Sequence, residues 1–277
     1  MSSYENYTQT SRNYDKTRRP IGTEIIVGGF AHAPVPLGQT VVLDAGCGTG
    51  NYARAVLDHV GRIEAVDMNP GMLEVAEQKL SEEQAEGRIS FDSARIDELP
   101  FEDAAFDGVM INQVLHHLQD DPAKGFPAHY QVFREFARVT KPGGVLVVNT
   151  CSQEQLQHGY WHYTLIRQAA DALRKRYAPL DELIEVLDDC GFAHRGRFAP
   201  VDTPVQGGAY FDPRGPLSKE WRDGDSVWSL VDEAQLERAL YRIRTLEERG
   251  KLETYAARND ARRQDIGQAT ILFASRR

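Results

Sequence analysis

The sequence predicts an α/β fold built on a doubly wound parallel sheet, and three observations support this prediction. A buried apolar run at 41–43 leads through a glycine-rich turn into a helix that begins near Asn51. Strand-like and helix-like patterns then alternate as far as residue 150, which is the order of a parallel sheet covered by helices on both faces. A second apolar run at 145–148 has the continuous character of a strand buried on both sides. At 277 residues the chain needs no more than one large domain.

The individual elements follow from local patterns. Pro70 suits the first turn of a helix, and apolar residues at helical spacing come after it. A glycine-rich turn is predicted at 141–144, and an amphipathic helix between Leu180 and Leu187. The strands predicted in this part of the chain are 41–44, 62–67, 105–112 and 145–148.

The glycine-rich turn narrows the choice of ligand. Gly46, Gly48 and Gly50 let the backbone turn sharply and let a ligand approach it closely. A P-loop is excluded, because the turn contains no lysine and none follows until Lys79. The spacing also differs from a dinucleotide fingerprint, and the preceding Asp44 would repel a pyrophosphate but suits a cationic amine.

The run Leu-Asp-Ala-Gly-Cys-Gly-Thr-Gly at 43–50 resembles motif I of the class I S-adenosylmethionine (SAM) methyltransferases. The resemblance implies that the loop backbone packs against the methionine part of SAM and that Asp44 helps to hold its ammonium group. It also implies that Met68 packs on the adenine. Asp67 ends the second strand about twenty residues after the loop, where an acid accepts hydrogen bonds from ribose hydroxyls. The predicted cofactor-binding residues are Asp44, Gly46, Cys47, Gly48, Gly50, Asp67, Met68, Met72, Ile96, Asp97 and Asn112.

One position departs from the family pattern. The segments 99–101 and 105–112 are similar to the family's run before and through strand four. Upstream of them the family commonly has an aspartate that bonds the adenine amino group, and here that position is Arg95. An arginine has no acceptor for an amine. Either Asp97 reaches the ring, or the backbone at Ile96 does so, or the adenine pocket is unusual.

The resemblance covers residues 40–150 and implies a seven-stranded, mostly parallel sheet whose last strand is antiparallel. The runs 191–198 and 267–274 fit the sixth and seventh strands. We expect one methyltransferase domain over 1–277, and we place substrate selection in 1–35, 151–175 and 203–230. The predicted parts of this domain are an amino-terminal lid arm at 1–35, a SAM-binding core at 36–150, remaining core at 151–202 and 267–277, and a helical lid insertion at 203–266.

Candidate catalytic residues lie near the place where the methyl group is expected. His116 and His117 follow strand four, and an unperturbed histidine titrates near neutrality, so either suits a general base. The resemblance adds Tyr14, because similar enzymes can fold an amino-terminal tyrosine over the cofactor. The alternative interpretations are that the two histidines merely fill the loop and that Tyr14 is an exposed side chain without a catalytic role. Proximity and orientation are expected to supply most of the rate gain.

Aromatic and basic side chains supply the candidate acceptor contacts. A run of aromatics follows strand five, and aromatic walls exclude water and hold planar or cationic groups. Arg18 suits bidentate binding of a carboxylate. The alternative interpretations are that the aromatic residues pack in the core and that Arg18 is an ordinary surface charge. The predicted substrate-binding residues are Tyr7, Arg18, Tyr160, Trp161, Tyr163 and Tyr210.

The composition disfavours several classes of function. The chain carries 41 acidic and 32 basic side chains, a net charge of −9, which argues against a nucleic-acid partner. No apolar run is long enough to span a membrane, and residues 1–20 contain no apolar signal core. Three cysteines indicate a reducing compartment, so we expect a cytoplasmic location. No metal is expected, because no His/Glu cluster has the spacing of a ligand set.

The sequence thus predicts a SAM-dependent methyltransferase that acts on a small-molecule acceptor. The alternative is a SAM-binding protein of the same fold that catalyses aminopropyl transfer or cyclisation, or that serves as a non-catalytic partner subunit. An NAD-linked oxidoreductase is disfavoured by the spacing of the glycines. The cofactor motifs encode neither the acceptor atom, whether oxygen, nitrogen, sulfur or carbon, nor the oligomeric state.

Overall fold

One seven-stranded sheet organises the chain in the computed structural model, which describes residue 15 and residues 18–277. The strands are β1 Val41–Ala45, β2 Arg62–Asp67, β3 Ile89–Ser93, β4 Phe106–Asn112, β5 Thr140–Thr150, β6 Phe192–Phe198 and β7 Thr270–Arg276. They lie in the order β3-β2-β1-β4-β5-β7-β6. All neighbours are parallel except that β7 pairs antiparallel with both β5 and β6. The predicted sheet and its antiparallel last strand are confirmed.

Helices cover both faces of the sheet. Within the described residues they are α1 Thr23–Phe30, α2 Asn51–Leu57, α3 Pro70–Lys79, α4 Ser81–Ala85, α5 Pro127–Val139, α6 Gln153–His158, α7 Arg167–Arg174, α8 Leu180–Asp189, α9 Lys219–Asp223, α10 Glu233–Glu248, α11 Leu252–Asp260 and α12 Arg263–Ile266. Side chains of α1, α2 and α3 share one buried cluster with alternate strand residues, and those of α5 and α8 share the cluster on the opposite face. The α/β doubly wound prediction is therefore confirmed.

The strand order reverses between β1 and β4, which lie side by side at the centre of the sheet. In open α/β sheets, ligands bind in the crevice at the carboxyl ends of the strands where this reversal occurs. Asp44 near the end of β1 pairs in register with Met110, and Asn112 ends β4. The fold thus brings two predicted cofactor residues to the same crevice.

Strand β5 begins earlier than the sequence predicts. It starts at Thr140, and the turn predicted at 141–144 persists as an irregularity inside the strand. Pairing with β4 passes from Phe106–Thr140 directly to Gly108–Val145, so the intervening residues bulge from the sheet. The prediction was wrong here because a bulge lets a strand continue through a glycine turn.

The segment between β6 and β7 contains α9 to α12 and several short 3-10 turns. Asp232 caps α10, and its Oδ1 accepts a hydrogen bond from the backbone N–H of Gln235 at 2.7 Å. Buried aromatic residues from this segment, among them Trp221 and Trp228, form one cluster with Tyr160 and other residues that follow β5. In residue 15 and residues 18–277, the helices are too short or too polar to cross a membrane.

Candidate functional site

The glycine loop connects β1 to α2 and has one closed side and one open side. Its closed side is fixed to β2, because the backbone N–H groups of Gly46 and Cys47 donate to the carbonyl of Val66 at 2.8 and 2.9 Å. Gly46 has φ +78°, and a Cβ there would lie 2.7 Å from Cγ2 of Val114. Gly48 has φ +55°, and a Cβ there would meet nothing within 4 Å among the described residues. The backbone at Gly48 therefore borders open space in which a ligand can contact it.

Two buried polar side chains in the crevice lack partners. Asp44 is 1% exposed and Asn112 is 9% exposed. Within residue 15 and 18–277, the carboxylate oxygens of Asp44 and the amide atoms of Asn112 form no hydrogen bond. Burial raises the pKa of Asp44 to about 7; the nearby Asn112 amide opposes this rise and the charge of Asp67 adds to it. Because unsatisfied buried polar groups are costly, the pair fits the polar head of a ligand, with a cation at Asp44.

Asp67 lies on the other side of the loop, at the end of β2. Its Oδ2 accepts from the backbone N–H of Gly48 and its Oδ1 from that of Asn69, each at 2.8 Å. Each oxygen of a carboxylate has a second lone pair, so the group can also accept from hydroxyls of a ligand. Burial raises the pKa of Asp67, and the two backbone hydrogen bonds oppose this. Met68 is 37% exposed beside it, whereas Met72 is buried on α3.

Arg95 forms an ion pair with Asp97 at the end of β3. Its Nη2 lies 2.5 Å from Oδ2 of Asp97, and the arginine side chain is 57% exposed against 15% for the aspartate. The guanidinium therefore holds the Asp97 carboxylate at the edge of the crevice. Ile96 between them is half-buried.

Asp15 ties the amino-terminal arm to the glycine loop. Its Oδ1 accepts from Oγ1 of Thr49 at 2.6 Å and from Nδ2 of Asn51 at 2.8 Å. Its Oδ2 lies 2.5 Å from Nζ of Lys79, which also donates to the Thr49 carbonyl and to Oδ1 of Asn51, both at 2.7 Å. Sequence reasoning missed this cluster, since Lys79 is far from the loop in sequence. Tyr7 and Tyr14 lie outside the described residues.

A second feature of the crevice, the aromatic cavity, has a volume of about 440 Å³ that includes space open to solvent. It joins the arm, the end of β4, the segment after β5 and the segment between β6 and β7. Its lining residues are Arg18, Gln113, His116, His117, Leu156, Tyr160, Tyr163, Leu173, Tyr177, Asp225 and Ser226. Five of the predicted site residues thus meet here, namely Arg18, His116, His117, Tyr160 and Tyr163. Sequence reasoning missed Gln113, Tyr177 and Asp225, whose signals are single polar residues without a motif.

Two parallel ring pairs form walls of the aromatic cavity. Tyr160 stacks on Tyr163 with ring centroids 4.4 Å apart and planes 9° apart. His116 stacks on Tyr177 at 4.5 Å and 11°. The two tyrosines share a face because Trp161–Leu165 is a 3-10 helix, in which positions three residues apart lie on the same side.

Trp161 and Tyr210, both predicted to bind substrate, do not line this cavity. Trp161 donates from Nε1 to the carbonyl of Tyr210 at 3.1 Å, and the Tyr210 hydroxyl donates to Oδ1 of Asp260 at 2.5 Å. Both rings are buried in the aromatic cluster that joins the segments after β5 and after β6. The 3-10 geometry turns Trp161 away from the face that Tyr160 and Tyr163 share.

The two histidines are neutral at pH 7. Burial, with smaller contributions from the charges of Arg176 and Arg18, lowers the pKa of His117 to about 3. Burial likewise puts the pKa of His116 well below its ordinary value, with smaller effects from His117, Arg18 and Arg176. The expectation of unperturbed histidines was wrong, because sequence position does not report burial. Within the described chain, Nδ1 of His116 has no hydrogen-bond partner.

Arg18 and Asp225 bring the arm and the segment after β6 together at the cavity. Nη2 of Arg18 lies 3.6 Å from Oδ1 of Asp225. The same Oδ1 accepts from the hydroxyl of Tyr163 at 3.4 Å and from the backbone N–H of Val227 at 3.3 Å. Burial raises the pKa of Asp225, and the charge of Arg18 opposes this. The aspartate is thus held from three sides at the cavity wall.

Comparison with known proteins gives three findings. An uncharacterized methyltransferase of Mycobacterium bovis is 30% identical over 146 residues, which are 53% of this chain and 68% of the relative. A malonyl-[acyl-carrier protein] O-methyltransferase of Serratia marcescens is 32% identical over 154 residues, so the match spans 54% of this chain and about half, 53%, of that relative. The crystal structure of a protein provisionally described as a methyltransferase from an antibiotic biosynthesis pathway of Anabaena variabilis aligns with a TM-score of 0.71 and 21% identity, over 94% of this chain and 99% of the other.

A family model described as a methyltransferase domain also matches residues 43–148. That segment contains the glycine loop, both unpartnered residues of the crevice and strands β2 to β4 complete. The Anabaena structure shares the fold of nearly the whole chain, including the regions outside the matched segment. The chain belongs to the class I SAM-dependent methyltransferases.

Proposed function

We propose that this protein transfers a methyl group from SAM to a small-molecule acceptor held in the aromatic cavity. The observation that carries the proposal is the buried, unpartnered pair of Asp44 and Asn112 beside the open face of Gly48. Asn112 is followed directly by Gln113, which lines the aromatic cavity. A ligand satisfying the pair would therefore lie next to the space for an acceptor.

The residues present fit SAM, which when bound supplies an electrophilic methyl group. Asp44 would hold the ammonium of its methionine part, and Asn112 would satisfy a further polar atom of that part. Asp67 would accept from the ribose hydroxyls while keeping its bonds to the glycine loop. Met68 and Ile96 would border the adenine, and Asp97, aligned by Arg95, would accept from its amino group.

The acceptor would lie between the ring pairs of the aromatic cavity, with Arg18 at one wall. His116 and His117 act there as neutral hydrogen-bonding groups that orient the nucleophile. A histidine with a pKa near 3 holds a proton too weakly to be an efficient base for a hydroxyl, since base catalysis favours a pKa near the working pH. Alignment of the acceptor then supplies most of the rate gain. Tyr14 remains a candidate residue of the arm.

The arm and the segment 203–266 would act as lids over the two ligands. Asp15 ties the arm to the glycine loop on the cofactor side, and Arg18 meets Asp225 on the acceptor side. We also place the reaction in the cytoplasm, because all three cysteines are buried free thiols, as expected in a reducing compartment.

Calorimetry with SAM tests the first half of the proposal, and S-adenosylhomocysteine release with a panel of phenols, carboxylates, amines and thiols tests the second. We expect SAM to bind and at least one class of acceptor to yield S-adenosylhomocysteine. Absence of binding at millimolar SAM would refute the proposal. Binding with release of methylthioadenosine would instead indicate transfer of the aminocarboxypropyl group of SAM, and a repeat with decarboxylated SAM would test aminopropyl transfer itself. Conversion of a panel compound with neither S-adenosylhomocysteine nor methylthioadenosine would indicate cyclisation.

A further inference from the structure

A chain of hydrogen bonds runs to the aromatic cavity from the root of the amino-terminal arm, which here means the backbone at Ile21. The backbone N–H of Ile21 donates to the hydroxyl oxygen of Tyr52 at 3.3 Å, and Nδ2 of Asn149 donates to the same oxygen at 2.9 Å. Nε2 of Gln113 donates to Oδ1 of Asn149 at 3.0 Å, and the hydroxyl of Tyr177 donates to Oε1 of Gln113 at 3.3 Å. Four side chains from four segments of the chain are thereby joined in series.

Gln113 is the link between the two ends of this chain. Its carboxamide donates at one end and accepts at the other, where the thiol of Cys151 also approaches Oε1 at 3.5 Å. Asn149, which orients the carboxamide, is 1% exposed. Gln113 is half-buried, and its amide would lose its hydrogen bonds to Asn149 and Tyr177 if it rotated, so its oxygen is held toward the cavity.

The backbone at Gln113 is itself unusual. It has φ +57°, in the left-handed region that a residue other than glycine rarely adopts. Its N–H donates to the carbonyl of Asn149 at 2.9 Å, which fixes the turn directly after β4. Backbone strain of this kind persists at functional sites where the surroundings fix it. A glycine would relieve the strain but would supply no carboxamide.

The group that Gln113 holds is a wall of the cavity. The ring of Tyr177 lies parallel to the imidazole of His116 at 4.5 Å, and both line the space for the acceptor. We infer that Gln113 is a positioning residue, whose carboxamide fixes the ring of Tyr177 against His116 and connects this wall to the root of the arm. Its importance for methyl transfer rests on the proposed function, whereas its geometric role does not.

Histidine-ring NMR of the full chain tests the inference without an acceptor. In the wild type we expect burial to hold the pKa of His116 well below the range of about pH 5 to 8 in which an ordinary histidine titrates. We expect Gln113→Met to release the Tyr177 ring, admit water and bring the titration of His116 into this range. The charged and titratable groups around it are His117, Arg18, Arg176 and, across the cavity, Asp225.

Two controls separate positioning from loss of structure. Cys151→Ala removes the weaker contact to Oε1 and a long contact to the hydroxyl of Tyr160, but it keeps the bond between Gln113 and Tyr177 and should leave the His116 resonance in place. His129 lies on α5, is buried beside Asp120 and does not line the cavity. Its NMR signal therefore reports the integrity of the fold in every variant.

A double-mutant cycle gives the decisive readout. Tyr177→Phe and Gln113→Met both break the hydrogen bond between Tyr177 and Gln113, so the double variant should shift the His116 titration no further than Gln113→Met alone. Additive effects, or an unchanged His116 resonance in Gln113→Met with an intact His129 signal, would overturn the inference. For any acceptor that the panel identifies, kcat/KM should fall about tenfold while the Kd of SAM stays within about threefold. If the panel yields no acceptor, the methyl-transfer proposal fails while the NMR result still decides this inference.

Discussion

The two halves of the crevice are built by different means. On the cofactor side, the glycine loop and Asp67 bind each other through backbone groups, and the residues come from two consecutive strand–loop units. On the acceptor side, the aromatic cavity takes side chains from the arm, the end of β4, the segment after β5 and the segment before β7. A site made from backbone has a short sequence signature, whereas a site made from distant side chains has none.

The largest effect on the cofactor side is expected for Asp44→Asn. SAM affinity should fall about a hundredfold or more, since a buried charge pair is lost. The fold should gain stability. The pKa of Asp44 is raised from 3.8 to about 7, so the folded protein retains a proton that the unfolded chain releases, and stability falls as pH rises through this window. Above it the buried carboxylate costs up to about 4 kcal/mol.

Denaturant unfolding of the SAM-free protein at pH 6 and pH 8 measures this gain. The stabilisation by Asp44→Asn should be larger at pH 8, where the wild-type carboxylate is charged. Exposed Asp202→Asn serves as the matched control, with no change at either pH. A variant that is less stable than the wild type at pH 8 would mean that Asp44 has a structural partner.

The same pKa predicts proton release on cofactor binding. An ammonium beside Asp44 favours the carboxylate, so at about pH 6 binding should release close to one proton, and affinity should fall about tenfold per pH unit as the pH decreases further. Burial lowers the pKa of both His116 and His117, so we expect neither to supply the proton. Calorimetry in two buffers of different ionisation enthalpy measures the proton count. A count that survives in Asp44→Asn would assign the proton to another group.

Lys79→Met tests whether the arm couples the two halves. The substitution removes the cation that holds Asp15, Thr49 and Asn51 together, and we expect SAM to dissociate about tenfold faster, in line with the loss of charge-assisted hydrogen bonds. Stopped-flow displacement of SAM measures the rate. Lys219→Met, which breaks an exposed ion pair with Asp223, should leave it unchanged. Equal rates in both variants would contradict a lid role for the arm.

The smallest effect is expected at the adenine end. Arg95→Ala should change the Kd of SAM by less than about threefold, because an exposed ion pair contributes little. Asp97→Asn should weaken binding more, since it replaces the proposed acceptor of the adenine amino group. The reverse order would indicate that Arg95 itself, or the backbone at Ile96, contacts the ring.

Sequence reasoning predicted the strands and the glycine loop well, because the signals for both are local in the sequence. Apolar strands and the motif at 43–50 are local signals, and the structure and the matched family confirm them. The walls of the aromatic cavity were harder to predict. Tyr177 stacks on His116 across about sixty positions, and no pattern in either segment encodes that contact.

Local geometry and burial account for the other misses. Trp161 was assigned to substrate together with Tyr160 and Tyr163, but a 3-10 turn puts it on a different face. The two histidines were expected to titrate near neutrality, and burial moves both far below it. Each of these properties depends on three-dimensional surroundings that a linear spacing does not specify.

The position of β7 has a consequence for how this chain is made. It is the last strand in residues 18–277, yet it lies inside the sheet, and among those residues β6 has no other neighbouring strand. During synthesis, β6 must therefore wait with both edges unpaired until β7 has emerged from the ribosome. Unpaired edges invite association with other chains. The sheet can therefore be completed only once β7 has been made, and folding yield should depend on whatever shields β6 in the interval.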